Sequence, residues 1–282
     1  MPGIMITGVH GFVGSRALAY YKDAIPVPGV LLREPGEELD AFVKMHCPDV
    51  IINGAAISDI GTCEKNPAAS YSANVTLPVV LAEAAKAVGA KLISFSSDQV
   101  YTGCRTEGPY SETESLPEPA NVYARHKLEA EGRVLDILPD AVMLRATWMY
   151  DMPLYGGDGA HRNRGNFLVN TMGAVLQGKP IVFSSGEHRG ITYVRQVVRL
   201  LEQAWTLPGG VYNYGSENPL SMYETAKTLL DALGLDVPVT DTEPKRHDLR
   251  MDCGRLRSHG ICFDTTAEGF VRCAGDYGLL RQ

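Results

Sequence analysis

Ile4-Met5-Ile6-Thr7-Gly8-Val9-His10-Gly11-Phe12-Val13-Gly14 decides the fold of this chain. A short buried strand, Ile4 to Thr7, runs straight into three glycines at every third position, and a helical pattern follows through about Tyr21. Glycine at such a turn adopts backbone angles closed to other residues, and the last glycine lets the helix sit close to the sheet. The missing side chains also let a pyrophosphate approach the backbone, where the first helical amides, those of Phe12 and Val13, would meet it. The spacing is Gly-x-x-Gly-x-x-Gly rather than the Gly-x-Gly-x-x-Gly of the usual dinucleotide fingerprint. Gly8, Gly11, Phe12, Val13 and Gly14 are therefore the first candidates for holding a dinucleotide.

Outward from this turn the pattern repeats. Strands are expected at Asp49 to Asn53, Lys91 to Ser96 and Ala141 to Arg145, with helices at Leu77 to Val88 and Tyr123 to Leu135. Alternation at this spacing predicts a Rossmann-type, doubly wound α/β fold, a parallel sheet with helices on both faces. After about Tyr150 the pattern changes. Met152 to Asn166, rich in Gly, Asp, Arg and Asn, reads as a long functional loop. Helices at Phe167 to Leu176, Val194 to Trp205 and Ser221 to Leu233 then alternate with strands at Ile181 to Phe183 and Val211 to Tyr214. Ser221 with Glu224 makes a capping box for the last of these helices. The expected organisation is a nucleotide-binding domain over 1–150, with about 188–214 returning to it, and a smaller α/β substrate domain over 151–282.

Composition narrows the function. With 282 residues, 45% of them hydrophobic, the chain can bury one large core or two joined ones. A net charge of −7 disfavours nucleic acid or an anionic membrane surface as the main partner. The locally cationic Lys245-Arg246-His247 with Arg250, Arg255 and Arg257 reads either as a site for an anionic small molecule or as a solvated face. Six cysteines without a Cys-x-x-Cys motif give no support to a metal site or a disulfide framework. No secretory signal precedes Ile4 and no apolar run is long enough to span a membrane, so the expected setting is reducing cytoplasm.

The chemistry is carried by Tyr123-Ala124-Arg125-His126-Lys127. Four residues is just over one helical turn, so phenol and ammonium share a helix face. A fixed cation favours the phenolate and would bring a phenol of ordinary pKa about 10 toward proton exchange at neutral pH. Ser97, at the C-terminal edge of the third strand, could meet the same substrate oxygen as Tyr123. Small residues after the second clear strand, Asn53-Gly54-Ala55-Ala56, leave room for a ligand in the crevice. Beyond the glycines, Ile25-Pro26-Val27-Pro28-Gly29-Val30-Leu31-Leu32-Arg33 has no acid at a strand end, and Arg33 is a candidate for a ribose 2′-phosphate.

These motifs together resemble the extended short-chain dehydrogenase/reductase superfamily and, within it, the dTDP-4-dehydrorhamnose reductases. The likeness continues through Ser96-Ser97-Asp98-Gln99-Val100-Tyr101, Pro109-Tyr110-Ser111-Glu112-Thr113, Lys127-Leu128-Glu129-x-Glu131, Leu144-Arg145-x-Thr147-Trp148-Met149-Tyr150 and Gly165-Asn166-Phe167. The resemblance implies an NADPH-dependent oxidoreductase acting on a nucleotide-linked 4-keto-6-deoxy sugar, with NAD as the alternative cofactor. It implies Ser97, Tyr123 and Lys127 as catalytic residues. Ala55, Ala56 and Asn74 join the cofactor set, with Asn74 supporting Lys127 through water. Ser97, Asp98, Gln99 and Trp148 form the sugar-binding set. It also implies a homodimer, by analogy alone. Gln99 stands where such reductases usually carry a tyrosine. Two other expectations stand beside this one: an NAD-dependent nucleotide-sugar epimerase or dehydratase, toward which Gly11-Phe12-Val13-Gly14 leans although Asp98-Gln99 lacks the second acid of the dehydratases, and a non-catalytic regulatory subunit resembling the β subunit of methionine adenosyltransferase.

Overall fold

In chain order the elements are β1 Ile4–Thr7, α1 Phe12–Tyr20, β2 Ile25–Pro26, α2 Glu37–His46, β3 Val50–Asn53, α3 Ile60–Lys65, α4 Pro67–Tyr71, α5 Leu77–Val88, β4 Lys91–Ser97, α6 Val122–Ile137 and β5 Val142–Ala146. They continue with β6 Trp148–Tyr150, α7 Phe167–Leu176, β7 Ile181–Ser184, β8 Glu187–Arg189, β9 Ile191–Tyr193, α8 Val194–Ala204, β10 Gly210–Tyr214, α9 Met222–Ala232, β11 Val239–Thr242, β12 His247–Leu249, α10 Gly254–Ser258 and α11 Thr266–Asp276. This computed structural model describes residues 2–152, 165–242 and 247–279. The loop expected after Met152 lies almost wholly outside the described residues, as do Lys245 and Arg246 of the basic segment.

A six-stranded sheet runs β10-β5-β4-β3-β1-β2, and every neighbouring pair from β5 to β2 is parallel. The chain winds outward from β1 to β2, then returns to the other side of β1 for β3. That reversal makes a topological switch point at the C-terminal ends of β1 and β3, where open α/β sheets receive ligands. Thr7 is in register with Asn53 there. The central strands are apolar and fully buried because helices cover both faces. Met5, Ile51, Leu92 and Met143 pack with Leu39, Val43, Leu77 and Leu81 from α2 and α5. β2, cut short by Pro26 and lying at the edge, is where a proline is tolerated.

The chain divides into two units. One comprises Met1–Arg105, Ser115–Ala146 and Val198–Tyr212, and the other Thr106–Glu114, Thr147–Val197 and Asn213–Gln282. In the second unit Tyr150, Phe167, Tyr193, Met222 and Phe270 form a separate aromatic core. Its small parallel pairs, β6 with β9, β7 with β11 and β8 with β12, join segments far apart in sequence. The expected capping box at Ser221 and Glu224 is formed.

Candidate active site

The glycine turn is built as tightly as its sequence demands. Gly8 has φ +68°, and a Cβ there would lie 2.6 Å from the Ala55 amide nitrogen beyond β3. A Cβ on Gly14 would overlap the Gly8 carbonyl oxygen, so α1 can close onto the end of β1 only without one. Gly11 caps α1 without side-chain help, and its amide donates to the Gly8 oxygen at 2.7 Å. Beneath the turn, Thr7 donates to Asn53 Oδ1 at 2.7 Å and Asn53 Nδ2 donates to Ser94 Oγ at 3.0 Å. This buried chain of side chains ties the C-terminal ends of β1, β3 and β4 together, and the Ala55 amide joins it.

Ser97 is the last residue of β4 and Tyr123 sits in the first turn of α6. Ser97 is near enough to act on the Tyr123 phenol, lowering its pKa. Ser97 Oγ also lies 3.2 Å from Asp98 Oδ1, to which it donates, and accepts the Gln99 amide. Lys127 comes one turn after Tyr123 on the buried face of α6; its Nζ lies 5.8 Å from the phenol ring centroid and donates to the Phe95 carbonyl at 2.9 Å. Ser97, Tyr123 and Lys127 are only 7%, 7% and 4% exposed. The expected trio is thus brought together within one unit.

The electrostatics differ from expectation at Tyr123. Burial pushes its phenol well above the ordinary value; nearby Ser97 opposes this, while Asp98 and Cys63 add to it. Lys127 does not hold the phenol down, because the ammonium is itself buried and bonded to a carbonyl rather than to the phenol oxygen. Burial lowers Lys127 to about 8, against the pull of Glu131 and Cys63.

Asn74 is fully buried in a π-helical turn, Ser72–Thr76, of the kind frequent at functional sites. Its Nδ2 donates to the Ile57 carbonyl at 2.9 Å and to Ser70 Oγ at 3.1 Å, while its Oδ1 has no partner. Gln99 Oε1 accepts from Asn121 Nδ2, whose own Oδ1 accepts the Ala124 amide at the start of α6. The helix cap therefore fixes both amide orientations and leaves the Gln99 Nε2 donors turned away from Asn121. Arg33 is exposed at the end of a 3-10 turn, Gly29–Leu32, that follows β2. Trp148 belongs to the second unit, where the Arg189 guanidinium lies 5.4 Å from its ring centroid and Phe167 meets it edge-on.

The family model for the RmlD substrate binding domain matches residues 2–252. The chain belongs to that family. The dTDP-4-dehydrorhamnose reductase of Mycolicibacterium smegmatis is 31% identical over 83% of this chain and 70% of its own length. The methionine adenosyltransferase 2 subunit beta of Xenopus laevis is 30% identical over 91% of this chain and 82% of its own. In fold, the chain superposes with a TM-score of 0.85 on a dTDP-4-dehydrorhamnose reductase from Bacillus anthracis in complex with NADP, at 23% identity and 98% coverage of both chains.

This RmlD-family chain also carries functional candidates that sequence reasoning did not single out. Glu131, Arg145 and Tyr101 form a buried polar cluster behind Ser97, and Cys63 packs directly against Tyr123. Glu131 had a signal, since it falls eight residues after Tyr123 on the same helix face. Cys63 had none, for nothing local ties α3 to α6.

Proposed function

We propose that this protein is an NADPH-dependent reductase of a nucleotide-linked 4-keto-6-deoxy sugar, an activity of the kind its mycobacterial relative is named for. One observation carries the reading: Ser97 at the end of β4, and Tyr123 and Lys127 one turn apart on the buried face of α6, are buried together at the edge of a sheet whose switch point carries the glycine turn. The chain fits a dinucleotide. Gly8, Gly11, Phe12, Val13 and Gly14 would hold a pyrophosphate, Ala55 and Ala56 would line the crevice, and the unpartnered Asn74 Oδ1 suits a water that supports Lys127. With no carboxylate between Ile25 and Arg33, the end of β2 favours a 2′-phosphate, and Arg33 is its cationic partner. NADPH would supply the hydride for the keto carbon.

The residues supply the proton and the charge. At neutral pH the raised phenol keeps its proton, which suits Tyr123 to donate to a carbonyl oxygen as negative charge gathers there. Ser97, by turning its hydroxyl proton away from Asp98, donates to the same oxygen. Lys127, mostly cationic at pH 7, would bond the cofactor ribose and so hold the nicotinamide beside Tyr123. Alcohol oxidation would need the phenolate at the outset, which burial opposes, so the site is biased toward reduction. Asp98 and Gln99 belong to the proposed sugar-binding set within the first unit, in a proposed cytoplasmic setting.

Purified protein given NADPH and dTDP-4-dehydrorhamnose should consume the cofactor, and Tyr123→Phe should lose roughly 100-fold or more of the rate. An inactive wild type, or equal rates in the two proteins, would overturn the reading. A second reading, a regulatory subunit, is favoured by the 30% identity to methionine adenosyltransferase 2 subunit beta. Co-purification of a stoichiometric enzyme partner with an inactive chain would support it.

A further inference from the structure

Glu131 and Arg145 form a buried ion pair for which the reaction above has no direct use. Arg145 Nη2 lies 2.7 Å from Glu131 Oε2 and Nε 3.0 Å from Oε1, and both side chains are 4% exposed. Ser96 donates to Glu131 Oε1 at 2.5 Å, and Arg145 Nη1 donates to the Tyr101 hydroxyl at 2.9 Å. Burial works against Arg145, yet the bonds to Glu131 and Tyr101 hold its charge more firmly than usual. Replacing such a pair by well-packed apolar residues is often neutral or stabilising, so stability is a poor reason for its presence.

Its contacts instead surround the reactive trio. Ser96 immediately precedes Ser97, Tyr101 lies in the 3-10 turn Asp98–Gly103 that follows it, and Glu131 is one helical turn beyond Lys127 on the buried face of α6. We propose that Glu131 and Arg145 are positioning residues for this reaction: the pair clamps β4, the turn after it and α6 together, and Glu131 supplies the negative charge that keeps Lys127 cationic. The inference rests on the reductase reading for its consequence, though its electrostatic half does not need it.

Several groups face Lys127. Tyr123 and Glu131 come from its own helix, Cys63 from α3, the Phe95 carbonyl from β4, and Arg145 from β5 by way of Glu131. Neighbouring His126 turns instead to Ser70. Glu131 attracts the proton on Lys127 and Arg145 offsets part of that attraction. Removing either member must therefore move Lys127 in opposite directions, whereas a merely structural pair would give the same disturbance from both.

Carbon-13 lysine NMR titration of the whole protein, with the Lys127 signal identified by its loss in Lys127→Met, reads this without cofactor or substrate. Glu131→Gln should lower the Lys127 midpoint by about one pH unit and Arg145→Met should raise it by a smaller amount. The double variant should lie between Glu131→Gln and wild type. Should one single variant fail to fold, the other and the double variant decide. Shifts of the same sign, or none, would overturn the electrostatic role. The clamp is tested by steady-state kinetics of the double variant, in which kcat should fall about tenfold with the NADPH KM nearly unchanged. Wild-type kcat there would remove the clamp from the proposal. A wild type that binds no NADPH would sink the redox reading, while the titrations still judge the pair.

Discussion

Lys127 is held as a cation where charge is poorly solvated, and that conflict has a measurable sign. Its value falls from an ordinary 10.5 to about 8 on folding, with burial as the main cause. Between those values the unfolded chain binds more protons than the folded one, so stability rises with pH across that window. Below pH 8 the full penalty of burying the charge is present. Lys127→Met should therefore stabilise the protein at pH 7 by about 2 kcal/mol, net of the lost bond to the Phe95 carbonyl, and the gain should shrink as pH approaches 10. Denaturant titrations at pH 7 and 10 check this; a variant less stable than wild type at pH 7 would refute it. The same group sets a limit on activity. As Lys127 loses its proton, kcat/KM for sugar reduction should decline above about pH 8. A profile flat to pH 9.5 would show that the reaction does not need the Lys127 charge.

At the scale of elements, α1 and α6 each begin at a position the chemistry needs. A methyl on Gly14 cannot coexist with the Gly8 carbonyl, so Gly14→Ala must push α1 away from β1. The expected cost is about 1–3 kcal/mol of stability and a tenfold or greater loss of NADPH affinity, read by chemical denaturation and by NADPH fluorescence. For α6 the cap is Asn121, whose side chain also holds Gln99. Asn121→Ala should lose about 1 kcal/mol, and the freed Gln99 should raise the sugar KM more than it lowers kcat. Both starts were legible because a glycine turn and a one-turn Tyr–Lys spacing are local patterns. So was Ser97, which ends β4 as its strand pattern requires. The partnership of Glu131 with Arg145 was not, since a glutamate on a helix reads as solvent-facing until β5 is laid beside it. Helix α2 escaped notice despite Glu37, Glu38 and Asp40 in its first turn and Lys44 and His46 in its last, because the proline- and glycine-rich stretch before it masks the start. α11 carried an overlooked capping box, Thr265 with Glu268. β11 and β12 had no local signal, for each is a strand only by pairing with β7 or β8 over fifty residues away.

For the whole molecule, cofactor choice couples one missing charge to global stability. Rossmann-type sites that prefer NAD carry an acid beyond the glycines to bind the ribose 2′-hydroxyl. Here β2 ends at Pro26, Val27 is buried with its amide bonded to Ile6, and the segment runs to exposed Arg33 without a carboxylate. On the proposed reading, Arg33 is the cation that a 2′-phosphate would meet. A ligand that binds only the folded chain stabilises it by RT ln(1 + [L]/Kd), about 2.7 kcal/mol at a hundredfold excess over Kd. In a chain of this size each kcal/mol raises the melting temperature by roughly 2–4 °C. Saturating NADPH should raise it by about 5–10 °C, and NADH at the same concentration by clearly less. Arg33→Ala should narrow that difference by weakening NADPH alone, because the adenine, pyrophosphate and nicotinamide contacts are common to both cofactors. An equal shift from NADH and NADPH in the wild type would mean that the end of β2 does not read the 2′-position.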